Sequence, residues 1–160
     1  MDEVVFRETQ RMPRSWRLPV LVIAVGGVLV YAVTAEAAGR GDAAALIGLV
    51  AIVVGLVVAS LALVAKLEVS VTRVAVDVRW VPLARRSIPF ATIDQAEAVT
   101  YRPVRQFGGW GIRFGRSGAR AYSMSGDSAV RLTLHDGSEI YLGSLEPEAL
   151  AAAIDRARVR

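Results

Sequence analysis

The chain has 160 residues, a net charge of +4 and no cysteine. The absence of thiols excludes disulfides, thiolate metal sites and a cysteine nucleophile, and a single histidine leaves no set of zinc ligands. Hydrophobic residues make up 54% of the chain, more than an average globular domain carries. The excess is concentrated before residue 66.

Two uncharged apolar runs follow a charged N-terminal segment, 1–17. As helices, the runs at 18–35 and 43–65 would measure roughly 27 and 35 Å, enough to cross the hydrocarbon core of a bilayer. We therefore predict a two-helix transmembrane hairpin over 18–65. A cleaved signal peptide ending near Ala37 is the alternative, and the acidic residues before the first run disfavour it.

The flanking charges predict how such a hairpin would be oriented. Basic residues cluster before the first run and after the second, whereas the turn between them holds only Arg40. By the positive-inside rule, both termini should be cytoplasmic. We accordingly expect a multi-pass protein of the inner (plasma) membrane, with a cytoplasmic domain over 66–160.

Small residues recur along the second run at helical spacing, which predicts a face for close helix packing. They are Ala44, Gly48, Ala51, Gly55, Ala59 and Ala62, and Ala24 and Gly27 offer a complementary surface on the first run. The partner would be either the first helix or a second subunit. A chain that is simply rich in alanine would give part of the same pattern.

From Lys66 onward, the hydrophobic pattern alternates with the period of β-strands. Short alternating runs predict strands near 67–71, 74–80, 85–90, 96–101, 110–114, 120–124, 129–134 and 139–142. Asp136-Gly137 predicts a hairpin turn between the last two strands. Pro147 then opens an amphipathic helix, with glutamates in its first turn and arginines in its last.

Three segments of this domain resemble bacterial PH-domain membrane proteins of high-GC bacteria. They are RRSIPFATIDQAEAVTYRP, GGWGIRFGRSGARAYSMSG and VRLTLHDGSEIYLGSLEPEALAAAI. The resemblance implies a two-helix membrane hairpin and a pleckstrin-homology-like domain. That domain would be a bent antiparallel sandwich or barrel of about seven strands, capped by one C-terminal helix. The resemblance implies no catalytic residues, because these proteins are largely of unknown function.

No motif indicates catalysis, a metal site or a cofactor. His135 falls in the predicted hairpin turn, where polar residues are common for local reasons. The glycines near Trp110 do not form a nucleotide loop, because Phe114 occupies the third glycine position and a strand follows. We therefore expect a non-enzymatic protein without cofactor or metal.

An arginine-rich segment is the candidate binding surface. It contains Arg102, Arg105, Trp110, Arg113, Arg116 and Arg120. Guanidinium groups fork onto phosphate or carboxylate, and aromatic rings stack or insert. A solvated loop with Trp110 in the core is the alternative. Strand alternation places Ile112 and Phe114 in the core and Arg113 outside.

These features predict a membrane-anchored interaction module. It would present its β domain to a protein partner or an anionic lipid headgroup, and nucleic acid is not expected. The alternative is a structural subunit of a homo-oligomer or larger membrane complex, assembled through the small-residue face. The sequence does not fix the oligomeric state.

Overall fold

The computed structural model describes residues 4–13, 18, 21–22, 24–29, 31–32, 42–115 and 118–159. The chain forms two compact units. One contains Met1–Arg11 and Lys66–Arg160, and the other contains Met12–Ala65. The first unit is mainly β and carries the candidate binding surface.

The first sheet of the β unit is antiparallel, with the strand order β1-β2-β3-β4. Its strands are β1 (Phe6–Arg11), β2 (Lys66–Val71), β3 (Ala75–Val81) and β4 (Ala84–Pro89). In β2, Leu67, Val69 and Val71 are fully buried, whereas the polar residues between them are half-exposed. The period of two thus turns one face of the sheet inward.

The second sheet has the order β5-β8-β9-β7-β6. Its strands are β5 (Ile93–Thr100), β6 (Gly111–Phe114), β7 (Arg120–Ser123), β8 (Ser128–Leu134) and β9 (Glu139–Gly143). A 3₁₀ turn, Phe90–Thr92, leads into β5 from the first sheet. Strands β7 and β9 are parallel, which departs from the antiparallel arrangement that the sequence predicted.

The C-terminal helix of the β unit is Pro147–Arg158. The apolar side chains of Leu150 and Ile154 are fully buried, and the helix packs against strands β2, β5 and β8. Arg158 Nη2 donates hydrogen bonds to the carbonyl oxygens of Ile93 and Asp94. The stripe of apolar residues thus closes one side of the core, and Arg158 ties the end of the helix to β5.

Strand β1 is an element that the sequence patterns did not indicate. The sequence patterns place residues 1–17 outside the β domain, yet Phe6–Arg11 pairs with all of β2. Glu8 extends this attachment, because its carboxylate accepts hydrogen bonds from the Ser144 hydroxyl at 2.6 Å and the Leu145 amide at 2.7 Å. The N-terminal strand is therefore part of the β unit.

The second unit contains one long helix with described bounds, α1 (Asp42–Val64). Of the predicted first span, only 18, 21–22, 24–29 and 31–32 lie within the described residues, and these are helical.

The described residues contradict the predicted membrane spans. Among the described residues, no helix is long and apolar enough to cross a membrane. The predicted fold class, a transmembrane hairpin joined to a β domain, is therefore wrong. The predicted integral membrane association and the multi-pass inner-membrane location are wrong for the same reason.

Candidate functional site

The candidate surface is built around a short helix, α2 (Pro103–Phe107), between β5 and β6. Pro103 stands at the first helical position, where a missing N–H costs nothing. Gly108 ends the helix with a left-handed backbone, φ 73°, a conformation that side chains disfavour. The side-chain oxygen of Gln106 accepts a hydrogen bond from the Arg102 amide at 3.0 Å, so the helix is closed at both ends.

Buried aromatic side chains fix α2 on the second sheet. Phe107 is 8% exposed, and its ring centroid lies 6.0 Å from that of Tyr101 and 5.2 Å from that of Tyr141. Ala119, Ala121 and Ala129 complete this cluster. Small side chains beneath the rings leave room for them, so the buried side of α2 is anchored while its other side faces outward.

A cleft of about 510 Å³ lies beside α2. Two of the predicted arginines, Arg102 and Arg105, line it together with Trp110, and between the arginines stands Val104. Val104 is 63% exposed, so it presents an apolar side chain at the surface of the cleft. Asp127, at the turn before β8, lines the same cleft. The cleft therefore combines an apolar surface with two cations and one anion.

Trp110 is half-buried and is neither a core residue nor a free surface ring. Its indole Nε1–H donates a 2.7 Å hydrogen bond to the Gly126 carbonyl. The Trp110 carbonyl accepts a 2.9 Å hydrogen bond from Arg113 Nε. These contacts hold the Trp110 ring at the edge of the cleft and keep the Arg113 side chain next to the Trp110 backbone.

Three arginines of this surface have no acidic partner among the described residues. Within the described part of the chain, Arg102, Arg105 and Arg113 form no ion pair, and all three are exposed. Other basic side chains of the same domain are paired, for example Arg131 with Glu97 and Glu139. The surface thus keeps an uncompensated positive charge.

Of the remaining predicted arginines, Arg120 is not brought into the cleft. Arg120 lies on β7 with its guanidinium 5.3 Å from the centre of the Phe114 ring, a cation–π contact. Phe114 is 68% exposed, so the expectation that it enters the core is wrong, because β6 is the outermost strand of its sheet. Arg116 lies outside the described residues.

The small-residue face remains a prediction. Gly48 is buried, and a Cβ atom added there would lie 1.6 Å from the Tyr31 ring, so a side chain from the first run occupies that position. Gly27 and Gly55 have no atom within 4 Å of an added Cβ. Ala51 is exposed, and Ala24 and Ala59 are half-exposed, whereas the side chains of Ala44 and Ala62 lie outside the description.

Two tyrosines that contact the α2 anchor have raised pKa values. Burial raises the pKa of Tyr101, and the neighbouring Ser123 hydroxyl offsets part of that rise. Burial also raises the pKa of Tyr141. Both phenols therefore stay protonated at neutral pH. Within the described residues, no group of three His, Cys, Asp or Glu side chains is placed to hold a metal ion.

Sequence reasoning found the arginines but missed the other half of the cleft. Tyr101, Val104, Gly126 and Asp127 also line it, although Gly126 and Asp127 follow in the chain only after β6 and β7. One local signal was available, because Pro103 and Gly108 bracket the helix in the order typical of a helix start and stop.

No family model matches the chain, and no curated protein matches it.

Proposed function

We propose that this protein is a non-catalytic binding module whose α2 cleft docks an acidic segment of a protein partner. The single observation that carries the proposal is the pairing of unneutralised arginines with an exposed aliphatic side chain in one cleft. Arg102 and Arg105 flank Val104, and Trp110 forms one edge. A carboxylate of the partner would bind each guanidinium, and an apolar side chain would cover Val104.

The resemblance to bacterial PH-domain proteins supports a binding role in one respect only, since it implies no catalytic residues. The anionic lipid headgroup that the sequence also allowed is less well supported by the cleft. Asp127 lines it and repels either anion, but its carboxylate can also accept a hydrogen bond from a backbone amide, which an extended peptide offers along its length. An acidic peptide therefore fits the mixed charges better.

Fluorescence anisotropy with a labelled peptide of alternating glutamate and leucine tests the proposal. Replacing Arg102 and Arg105 together by alanine should weaken binding by about tenfold or more, because two charge-assisted hydrogen bonds are lost. The matched control replaces Arg85 and Arg156, which are exposed elsewhere, so the net charge falls equally and the affinity should change little.

Three outcomes would overturn the proposal. The control pair could weaken binding as much as the cleft pair does, which would show that net charge alone attracts the peptide. The wild-type protein could fail to bind the peptide at low salt. It could also bind phosphatidylserine vesicles and not the peptide, which would assign the arginines to lipid headgroups.

A further inference from the structure

A second cleft lies where the chain passes from the first sheet to the second. It has a volume of about 380 Å³ and lies between the end of β4, the 3₁₀ turn and the β8–β9 turn. Ile88, Pro89, Ala91 and Leu134 give it apolar walls, and Arg86 and His135 provide polar groups. A volume of this size suits a small molecule. The α2 cleft has an entirely different lining.

Arg86 is the unusual residue of this cleft. Alternation along β4 places Arg86 on the same side of the strand as Ile88, which is 2% exposed. The residue opposite Arg86 on β3 is the buried Val78. Arg86 is therefore a half-buried cation that faces inward. Its neighbour Arg85 points the other way and is exposed.

Within the described residues, Arg86 lacks an ion pair. Arg86 Nη1 donates a hydrogen bond to the Tyr122 hydroxyl on the second sheet, at 3.4 Å. This one hydrogen bond is long and its acceptor is neutral, so the other N–H groups of the half-buried guanidinium are left to solvent or to a ligand. An anion bound in the cleft would satisfy them.

Local hydrogen bonds hold the walls of the cleft in place. The His135 amide donates to the Thr92 carbonyl at 3.0 Å, which ties the β8–β9 turn to the 3₁₀ turn. The Thr92 hydroxyl donates to the Pro89 carbonyl at 2.8 Å. The cleft is thus formed before any ligand arrives, which lowers the entropic cost of binding.

We propose that this cleft binds a small monocarboxylate with an apolar tail, its carboxylate on Arg86 and its tail against Ile88 and Leu134. A guanidinium fork matches a carboxylate in geometry as well as in charge. Asp136 also lines the cleft, and it repels a doubly charged ligand more strongly than a singly charged one. A singly charged anion is therefore preferred over inorganic phosphate.

His135 provides a specific probe for the test, because it is the only histidine of the chain. Its imidazole gives one set of proton NMR signals, which are followed in the full-length protein at constant pH while hexanoate is added. We expect a saturable shift with hexanoate. Hexanol, which lacks the carboxylate, and inorganic phosphate, which lacks the tail, should each bind at least about tenfold more weakly.

Two variants locate the ligand. Arg86→Gln should weaken hexanoate binding by about tenfold or more, whereas Arg85→Gln, one residue along the same strand, should leave it unchanged. Ala91→Phe keeps Arg86 but fills the cleft from an exposed position, so it should also abolish the shift. Ala91→Phe serves as the second test if Arg86→Gln fails to fold.

The rival role for Arg86 needs no ligand. An inward charge on an edge strand such as β4 hinders pairing between sheets of different molecules. If that is its function, hexanoate will produce no saturable shift of the His135 signal. Equal affinities for hexanoate in wild type, Arg86→Gln and Ala91→Phe would likewise overturn the proposed site.

Discussion

Single residues constrain the β unit in two ways: glycine allows a close approach between strands, and a charged side chain is shared between strands. Gly143 is an example of the first. A Cβ atom added there would lie 2.9 Å from Ser123 Cβ and 3.0 Å from Ser123 Cα, on the neighbouring parallel strand. Gly137 differs, because its φ of 79° requires glycine although the space around it is open.

Gly143→Ala should lower the free energy of unfolding by about 1–3 kcal/mol, because the methyl group overpacks the contact with Ser123. Urea denaturation measures this loss. Adding Ser123→Gly should recover part of it, giving a favourable coupling energy in a double-mutant cycle. The same second change should not rescue Gly137→Ala, whose cost is backbone strain. Purely additive effects at Gly143 and Ser123 would contradict the close approach.

Glu68 represents the shared charges. Its carboxylate lies 2.6 Å from Lys66 Nζ and 3.5 Å from Arg79 Nη1. The hydrogen bond from Lys66 lowers the pKa of Glu68, burial opposes that effect, and the charges of Lys66, Arg79 and Arg7 lower the pKa further. A carboxyl group with a lowered pKa stabilises the fold only while it is ionised.

The stability contributed by Glu68 should therefore be complete above its unfolded pKa and lost as the pH falls through its folded pKa. Glu68→Gln should lower the free energy of unfolding by less than about 1 kcal/mol at neutral pH, because both cations are well exposed. The difference between variant and wild type should vanish in acid, as measured by urea titrations across pH. A difference that grows as the pH falls would contradict this.

At the scale of elements, β1 and α2 are attached by contacts distant in sequence. Glu8 of β1 accepts hydrogen bonds from Ser144 and Leu145, and Gln10 Nε2 donates to the Gly143 carbonyl at 2.7 Å. Phe107 packs α2 against the rings of Tyr101, which follows β5, and Tyr141 of β9. Each element therefore depends on the rest of the β unit.

Removal of β1 should destabilise the β unit strongly, since β2 would lose this partner strand and become an edge strand.

A milder test of the β1 attachment is Glu8→Gln, which keeps the shape of the side chain and removes its charge. We expect a loss of about 1–3 kcal/mol, measured by chemical denaturation. Thr9→Gln, on the exposed side of the same strand, is the control. Equal stability of Glu8→Gln and wild type would show that the link to Ser144 and Leu145 contributes nothing.

Phe107→Ala should remove the anchor of α2. The expected cost is about 3–5 kcal/mol for a buried aromatic ring, and peptide binding at the cleft should weaken in the fraction that remains folded. Phe107→Leu, which keeps most of the apolar volume, should retain binding. Thermal unfolding and anisotropy measured on the same samples separate the two effects, and full affinity in Phe107→Ala would show that α2 does not form the site.

Local patterns predicted the elements that depend on neighbours in sequence. The alternation in β2 and β3, the Asp136-Gly137 turn and the helix opened by Pro147 all correspond to observed elements. Strand β1 is polar along FRETQR, so alternation gave little signal, and its pairing with β2 joins strands that residues 12–65 separate. The parallel pairing of β7 with β9 and the contribution of Asp127 to the cleft are likewise settled by tertiary contacts.

For the molecule as a whole, we propose that the β unit presents one basic, partly apolar cleft to an acidic partner. Hydrogen–deuterium exchange resolved by residue tests this most directly, because it locates the bound peptide without any substitution. With saturating glutamate–leucine peptide, exchange should slow at the amides of 104–110 and 126–127 and stay unchanged in β4. If the peptide binds but leaves exchange at the α2 amides unchanged, or slows exchange in β4 instead, the α2 cleft is not the binding site.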